Sequence, residues 1–297
     1  MFPVYYSFNE YVLERFGEKL YKLSLNAGFT CPNRDGTKGK GGCIFCSTGG
    51  SGDFSEAPCE DIDVQIENAK KQVRSKFSGE HFIAYFQAFT NTYAPVERLR
   101  EIFCKAVNNP CIAAVSVATR PDCLPEEVIA LLSELNRIKP VFVELGLQTI
   151  HENTAQLINR CYPLSDYDRA VRLLKQEGIN TVVHLILGLP GETEEMVLQS
   201  VRYVVASGAD GIKLQLLHVL KGTKLEQMYR NGEFEVLSLE EYTDLLVKCV
   251  ELIPNNIVIH RLTGDAPKKL LTAPLWSADK KHVLNTVNAR LRSLDGR

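Results

Sequence analysis

The sequence predicts an α/β fold: a partial (β/α)6 TIM-like barrel with a C-terminal extension. Three observations predict it. Apolar runs of strand length recur between amphipathic helical stretches along most of the chain. The runs are near-continuously apolar, as strands buried on both faces of a parallel sheet are. The residues with chemical potential gather just after those runs, where barrels and open α/β sheets place their ligands.

Taken in order, the runs fall at 21–27, 81–87 (HFIAYFQ), 112–118 (IAAVSVA), 141–147 (VFVELGL), 181–189 (TVVHLILGL) and 211–217 (GIKLQLL). Helix signals separate them. APVERLREIFCKAV opens with Pro95 near its first turn, and SDYDRAVRLLKQEG has Ser165 as its N-cap and Gly178 as its stop. Six units are too few to close eight strands, so the barrel should be open, and IVIHRL at 257–262 could add a strand. A chain of 297 residues that is 45% hydrophobic is long enough for one such barrel. The division expected is a barrel over 1–225, with a cysteine loop at 30–47, and an extension over 226–297 that packs on it as the specificity element.

A formal net charge of -2 argues against coating nucleic acid by bulk charge. A local patch is another matter. From Arg261 to Arg297 eight Lys or Arg stand against three Asp, net +5. This is either an anion-binding surface or a solvated amphipathic helix. The start, MFPVYYSFNEYVLERFG, lacks a basic leader with an apolar core, and no apolar run is long enough to span a bilayer, so a soluble cytoplasmic protein with no membrane partner is expected. Nine cysteines, an odd number at irregular intervals, fit reduced thiols and metal ligands better than a disulfide framework.

The most informative stretch is CPNRDGTKGKGGCIFC, directly after the first run. Eleven residues separate Cys31 from Cys43, and two separate Cys43 from Cys46. Glycines at 36, 39, 41 and 42 let the backbone wrap closely around a bound group. A closed zinc site would need a fourth ligand, for which Cys59 is the nearby candidate, and plain thiols are the other alternative. Four further stretches stand at successive run ends. They are FQAFTNTYAP after the second, ATRPDCL after the third, VELGLQT after the fourth with Arg160 twelve residues beyond Gln148, and GLPGET after the fifth.

With these motifs the chain resembles the radical-SAM superfamily. It resembles in particular the YhcC/YtqA-like (MnmL-like) branch, over nearly the full length, a branch related to the Elongator catalytic subunit and the oxygen-independent coproporphyrinogen oxidases. Phe45 before Cys46 and the TRPD tetrad match, while the long first gap departs from the usual superfamily spacing. The resemblance implies a [4Fe-4S] cluster held by Cys31, Cys43 and Cys46 with one iron open to S-adenosylmethionine (SAM). It implies contacts to the SAM amino group from Gln87, Thr90 and Asn91, where the usual glycines are missing. Thr119 and Arg120 would face the site, although Arg120 and Asp122 could equally brace their turn. Gln148 would bond the ribose and Arg160 the carboxylate, as a guanidinium fork matches two oxygens. Glu144 faces the same end, and a buried strand Glu is expensive unless paired. His184 stands where relatives carry Asp, or is a satisfied core histidine. Gly188, Leu189 and Pro190 would set backbone beside adenine. His218, Lys221 and Thr223 follow in the last loop.

The resemblance also implies reductive cleavage of SAM to a 5'-deoxyadenosyl radical, fed by an electron donor such as flavodoxin or ferredoxin. The six remaining cysteines are scattered, so a single cluster is expected. For substrate it implies tRNA in the anticodon region, with wobble 5-carboxymethylaminomethyluridine converted to 5-aminomethyluridine. Trp276 and Tyr242 are candidate stacking surfaces. A small metabolite or peptide substrate, or a cluster-binding sensor without turnover, are the alternatives.

Overall fold

The computed structural model describes residues 5–55 and 61–293; Cys59 lies outside them. Helix α1 (Phe8–Phe16) opens with a capping box between Ser7 and Glu10 and stops at left-handed Gly17. Six βα units then follow: β1 (Tyr21–Leu25) and α2 (Ile62–Val73), β2 (Phe82–Phe86) and α3 (Val96–Asn108), β3 (Ile112–Thr119) and α4 (Glu126–Asn136). The run continues with β4 (Val141–Gln148), α5 (Glu152–Leu157) and α6 (Leu164–Gln176), then β5 (Asn180–Leu187) and α7 (Glu194–Ser207), then β6 (Gly211–Leu216). A two-residue β7 (Val219–Leu220), α8 (Lys224–Arg230), α9 (Leu239–Glu251), β8 (Val258–Arg261), β9 (Leu271–Ala273) and α10 (Lys280–Arg292) complete the described chain.

Seven of these nine strands form one sheet in the order β1-β2-β3-β4-β5-β6-β8, parallel throughout, and β7 pairs antiparallel with β9 apart from it. It curls into a half-barrel. The expected seventh strand from 257–262 is thus present, adding to β6 from the C-terminal part of the chain. Its outer edge is partly covered, because Ser7 bridges to Ile259 and the Ile259 amide donates to the Tyr6 carbonyl at 2.9 Å.

Leu23, Phe86, Val117, Leu145, Leu185 and Leu214 join a continuous core with the helices. The opposite phase of each strand points into the barrel. At the barrel's lower end Phe8 and Tyr11 of α1 pack on Phe142, with Ile83, Ala114 and Val182 in the same cluster. This apolar plug closes the bottom.

Pro95 precedes α3 as expected. For α6 the expected Ser165 cap is corrected: the N-cap is Pro163, and the orphan Leu164 amide is met by the Glu152 carboxylate at 2.7 Å. A carboxylate from the first residue of α5 thus takes the place of the local hydroxyl. Gly178, at φ +64°, ends the segment as expected.

Candidate active site

The loop after β1 carries Cys31, Cys43 and Cys46 across the C-terminal mouth of the half-barrel. All three line one cavity of about 990 Å³ whose walls are the inward residues of the strands. The loop is held by the segment after α5. The Ile44 amide donates to the Ile158 carbonyl at 3.1 Å, and Asn159 Nδ2 donates to the Gly42 carbonyl at 2.8 Å. Asn33 Nδ2 points at Cys43 Sγ, 3.6 Å away. Gly42 has φ +80°, and a side chain there would meet Arg34 at 2.9 Å. Arg34 itself lies over the Phe89 ring and donates to the Ser47 carbonyl.

The Cys43 and Cys46 thiols hydrogen-bond each other. This raises Cys43, with burial adding to the rise, and draws Cys46 down to about 7, with the Arg34 charge assisting. Among the described residues no group of three His, Cys, Asp or Glu side chains is placed to hold one metal ion. A polynuclear cluster presents separate irons, so its thiolates need not converge on one point.

At the end of β2, Gln87 and Thr90 line the cavity, and Gln87 donates to the Ser51 carbonyl at 2.8 Å. Asn91 sits beneath the rim, fully buried, with its amide spent on the Phe86 and Ala118 carbonyls. Thr119 lines the wall and pairs with Thr92. Arg120 grips Asp122 through two bonds of 2.9 Å and donates to the Arg160 carbonyl. Asp122 also takes Lys38 at 2.9 Å, so Arg120 and Asp122 do brace their turn to the cysteine loop. Arg160 is 1% exposed; its donors go to the Leu147, Thr149 and Tyr162 carbonyls and to Glu152, and its plane lies on the Tyr162 ring. As placed, its fork is occupied by backbone oxygens rather than turned to a ligand.

Gln148 is different. It has φ +71°, lines the cavity, and its buried Oε1 lacks a hydrogen-bond partner. Its acceptor is therefore open to a donor from within the cavity. Gly146 permits this placement, since a Cβ there would stand 2.9 Å from Gln148 Nε2. A hydroxyl donor such as a ribose would satisfy Oε1, so the residues present fit a SAM-like ligand. Gly188 (φ +88°) and Leu189 lie behind the wall, where Leu189 packs with Ile44 and Leu217; Pro190 is buried beside them.

Deeper in the barrel the side chains are polar. Glu144, 0% exposed, takes Lys22 at 2.8 Å, Ser116 at 2.6 Å, His184 at 2.8 Å and Lys213. Burial opposes its charge, but Lys213, Lys22 and His184 hold it well below the usual carboxylate range. His184 Nδ1 faces Gln215 Nε2 at 3.3 Å, and burial lowers this imidazole to about 4, so it is neutral. Glu144 and His184 both line the cavity, as expected, but face each other. Sequence reasoning missed Lys22, Lys213, Gln215, Asn33 and Asn159. The cavity mouth is completed by Arg261, Lys268 and Lys280 of the extension. Tyr242 is corrected as a stacking surface: it is fully buried and donates to the Leu262 carbonyl at 2.6 Å. Trp276 packs against it, its indole N–H donating to the Leu237 carbonyl.

A parallel half-barrel with three thiols over its mouth and a polar chamber below defines a cofactor-dependent barrel enzyme. Residues 30–204 match the model described as the radical SAM superfamily, and residues 209–293 the radical SAM C-terminal domain. The chain belongs to the radical SAM superfamily. It is 44% identical to the uncharacterized protein YtqA of Bacillus subtilis over 97% of its own length and 90% of that protein. A tRNA uridine(34) acetyltransferase of Methanocaldococcus infernus is 28% identical over 54% of this chain and 30% of the acetyltransferase. Among solved structures, the archaeal M. infernus Elp3 lacking its N-terminus superposes with a TM-score of 0.63, at 19% identity, over 85% of this chain and 58% of that one. Membership brings the family's cofactors, a [4Fe-4S] cluster and SAM. No helix among the described residues is long and apolar enough to cross a membrane.

Proposed function

We propose that this chain is a cytoplasmic radical-SAM enzyme of tRNA that converts wobble 5-carboxymethylaminomethyluridine to 5-aminomethyluridine. The observation that carries the reading is the cavity itself. Arg261, Lys268 and Lys280, from the +5 stretch, line the same chamber as the three cysteines. Nine Lys or Arg line it against three acidic side chains, on a chain of net charge -2. At the mouth Arg261, Lys268 and Lys280 surround one carboxylate, Asp265, and this net positive rim suits a polyanionic substrate entering from the extension side. The similarity to an enzyme named for tRNA uridine 34 supports the same substrate class.

Cys31, Cys43 and Cys46 would hold the cluster, which when bound supplies the electron that cleaves SAM to a 5'-deoxyadenosyl radical. Gln148 would accept from the ribose, and Gln87 and Thr90 would meet the amino-acid end. Gly188, Leu189 and Pro190 shape the wall behind the ligand. The α1 plug closes the chamber at its lower end, so access is from the cysteine-loop side. A C–H flanked by amine and carboxylate suits hydrogen abstraction, because the product radical is delocalised onto both. The electron donor would be flavodoxin or ferredoxin.

The test is direct. Reconstituted enzyme, strong reductant and SAM are incubated with bulk tRNA, and the nucleosides are profiled. Loss of the carboxymethyl form with gain of the aminomethyl form is expected, and an unchanged wobble uridine rejects the substrate.

A further inference from the structure

In parallel barrels the interior is ordinarily packed with branched apolar side chains in layers. Here one layer above the α1 plug is ionic. Lys22 on β1 and Lys213 on β6 reach from opposite sides of the sheet to the two oxygens of one carboxylate, Glu144 on β4. Lys22 and Lys213 both line the cavity that the cysteines cover. Below them the chamber is shut by Phe8, whose ring lies 4.8 Å from the Lys22 nitrogen, and by Phe142 and His260.

The charges do not balance. Two ammonium groups share one carboxylate, and His184, already neutral, contributes none. With both lysines protonated the cluster carries one uncompensated buried charge, and burial accordingly draws Lys213 down to about 7; a purely structural pair would need one lysine, not two. Nor are the donors used up. An ammonium has three N–H groups. Lys22 gives one, to Glu144, and Lys213 gives two, to Glu144 and to the Tyr85 hydroxyl at 3.4 Å. Lys22 also lies over the Phe8 and Tyr85 rings and Lys213 over the Tyr85 ring, and the hydrogen bonds of the two ammonium groups leave donor capacity beside the cavity they line.

We propose that Lys22 and Lys213 form the anion grip of this chamber, binding a carboxylate on the reacting substituent, with Glu144 as the positioning residue that holds both lysines. This deepens the wobble-uridine reading and rests on it for the molecule that bears the carboxylate. The grip lies partway down the strands, below the cysteine mouth. A substituent held there by its carboxylate presents the adjacent carbon upward, toward the cofactor side. The aminomethyl nucleoside carries no carboxylate, so the grip does not hold it.

The surroundings of Lys213 fit a site that waits for an anion. Burial lowers it to about 7 despite Glu144, and the Lys22 and Arg261 charges push the same way. Neutral His184 and His260 and the Tyr85 hydroxyl complete its neighbours, so no other acid offsets the second ammonium. A bound carboxylate would keep Lys213 charged. Carboxylate affinity should therefore fall as pH rises through neutrality.

The test uses the cluster-reconstituted full chain with SAM and without reductant. Binding of 5-carboxymethylaminomethyluridine, 5-aminomethyluridine and N-methylglycine is measured by calorimetry on wild type, Lys22→Met, Lys213→Met and Lys213→Arg, with iron content as the folding control. Wild type should prefer the carboxylated nucleoside by about ten- to hundredfold, the range for charge-assisted hydrogen bonds. Each methionine variant should lose most of that preference, and Lys213→Arg should retain part. Folded methionine variants that keep the wild-type preference, or a wild type that binds no carboxylate, overturn the grip. Should tRNA stay unmodified while N-methylglycine binding still depends on both lysines, the wobble reading fails and the grip stands. Modified tRNA with a lysine-independent preference gives the reverse. If the methionine variants lose iron, the wild-type pH profile decides. N-methylglycine affinity should drop several-fold between about pH 6 and pH 9, with uridine affinity flat; a flat carboxylate profile overturns the proposal.

Discussion

Replacing Glu144 with Gln removes the only carboxylate between two ammonium groups while keeping nearly the same shape. Lys22, Lys213, Ser116 and His184 all meet this side chain, which is 0% exposed. Removing one partner of a buried ion pair costs about 3–5 kcal/mol, because the charge left behind is uncompensated. In a domain of this size each kcal/mol lowers the melting temperature by about 2 °C, so a drop of about 6–10 °C is expected at neutral pH. The pH dependence follows from Lys213. Its folded pKa of about 7 lies below its ordinary 10.5, so the folded state binds fewer protons than the unfolded one across that window, and stability from this group rises with pH there. In the variant Lys213 loses its one nearby counter-charge and falls further, so the defect should shrink as pH rises from about 6 to 9. Calorimetric melting of both proteins at the two pH values measures it. A loss under about 2 °C, or a defect that grows with pH, would refute the picture of a buried carboxylate holding two cations.

Three other substitutions probe the mouth, and a fourth, in α9, is their control. Cys43→Ala should abolish cluster retention, whereas Cys249→Ala, buried in α9, should leave about four irons per chain; eight in wild type would contradict a single cluster. Gly42→Ala places a side chain at φ +80° against Arg34, and should cost about 1–2 kcal/mol and lower iron loading, read by melting and iron assay. Arg160→Lys leaves carbonyls of Leu147, Thr149 and Tyr162 short of donors in a buried site, and should cost about 2–4 kcal/mol in denaturant titration.

The βα alternation was legible because each strand is apolar on the phase that meets the helices. The other phase, with Lys22 and Ser24, Tyr85 and Gln87, and Lys213 and Gln215, went unread as a set, because it is diluted by glycine and alanine and looks like interruption of an apolar run. Only the curl of the sheet gathers these residues into one chamber. The cysteine loop was readable from spacing, whereas the Asn159 clamp that holds it comes from a different part of the chain. A guanidinium fork suits two backbone carbonyls as well as a ligand carboxylate; Arg160 lines the cavity with its donors on backbone carbonyls, a placement its residue type does not reveal. Tyr242 was misplaced because a tyrosine on an amphipathic helix reads the same whether its ring faces solvent or core.

The central claim is that this radical-SAM chain acts on the wobble uridine of tRNA, and the nucleoside profile of tRNA from cells lacking the protein tests it most directly. The account predicts accumulation of the carboxymethylaminomethyl form and loss of the aminomethyl form, restored by the wild-type gene and not by Cys43→Ala. A wobble profile identical to that of the parent cells would contradict it.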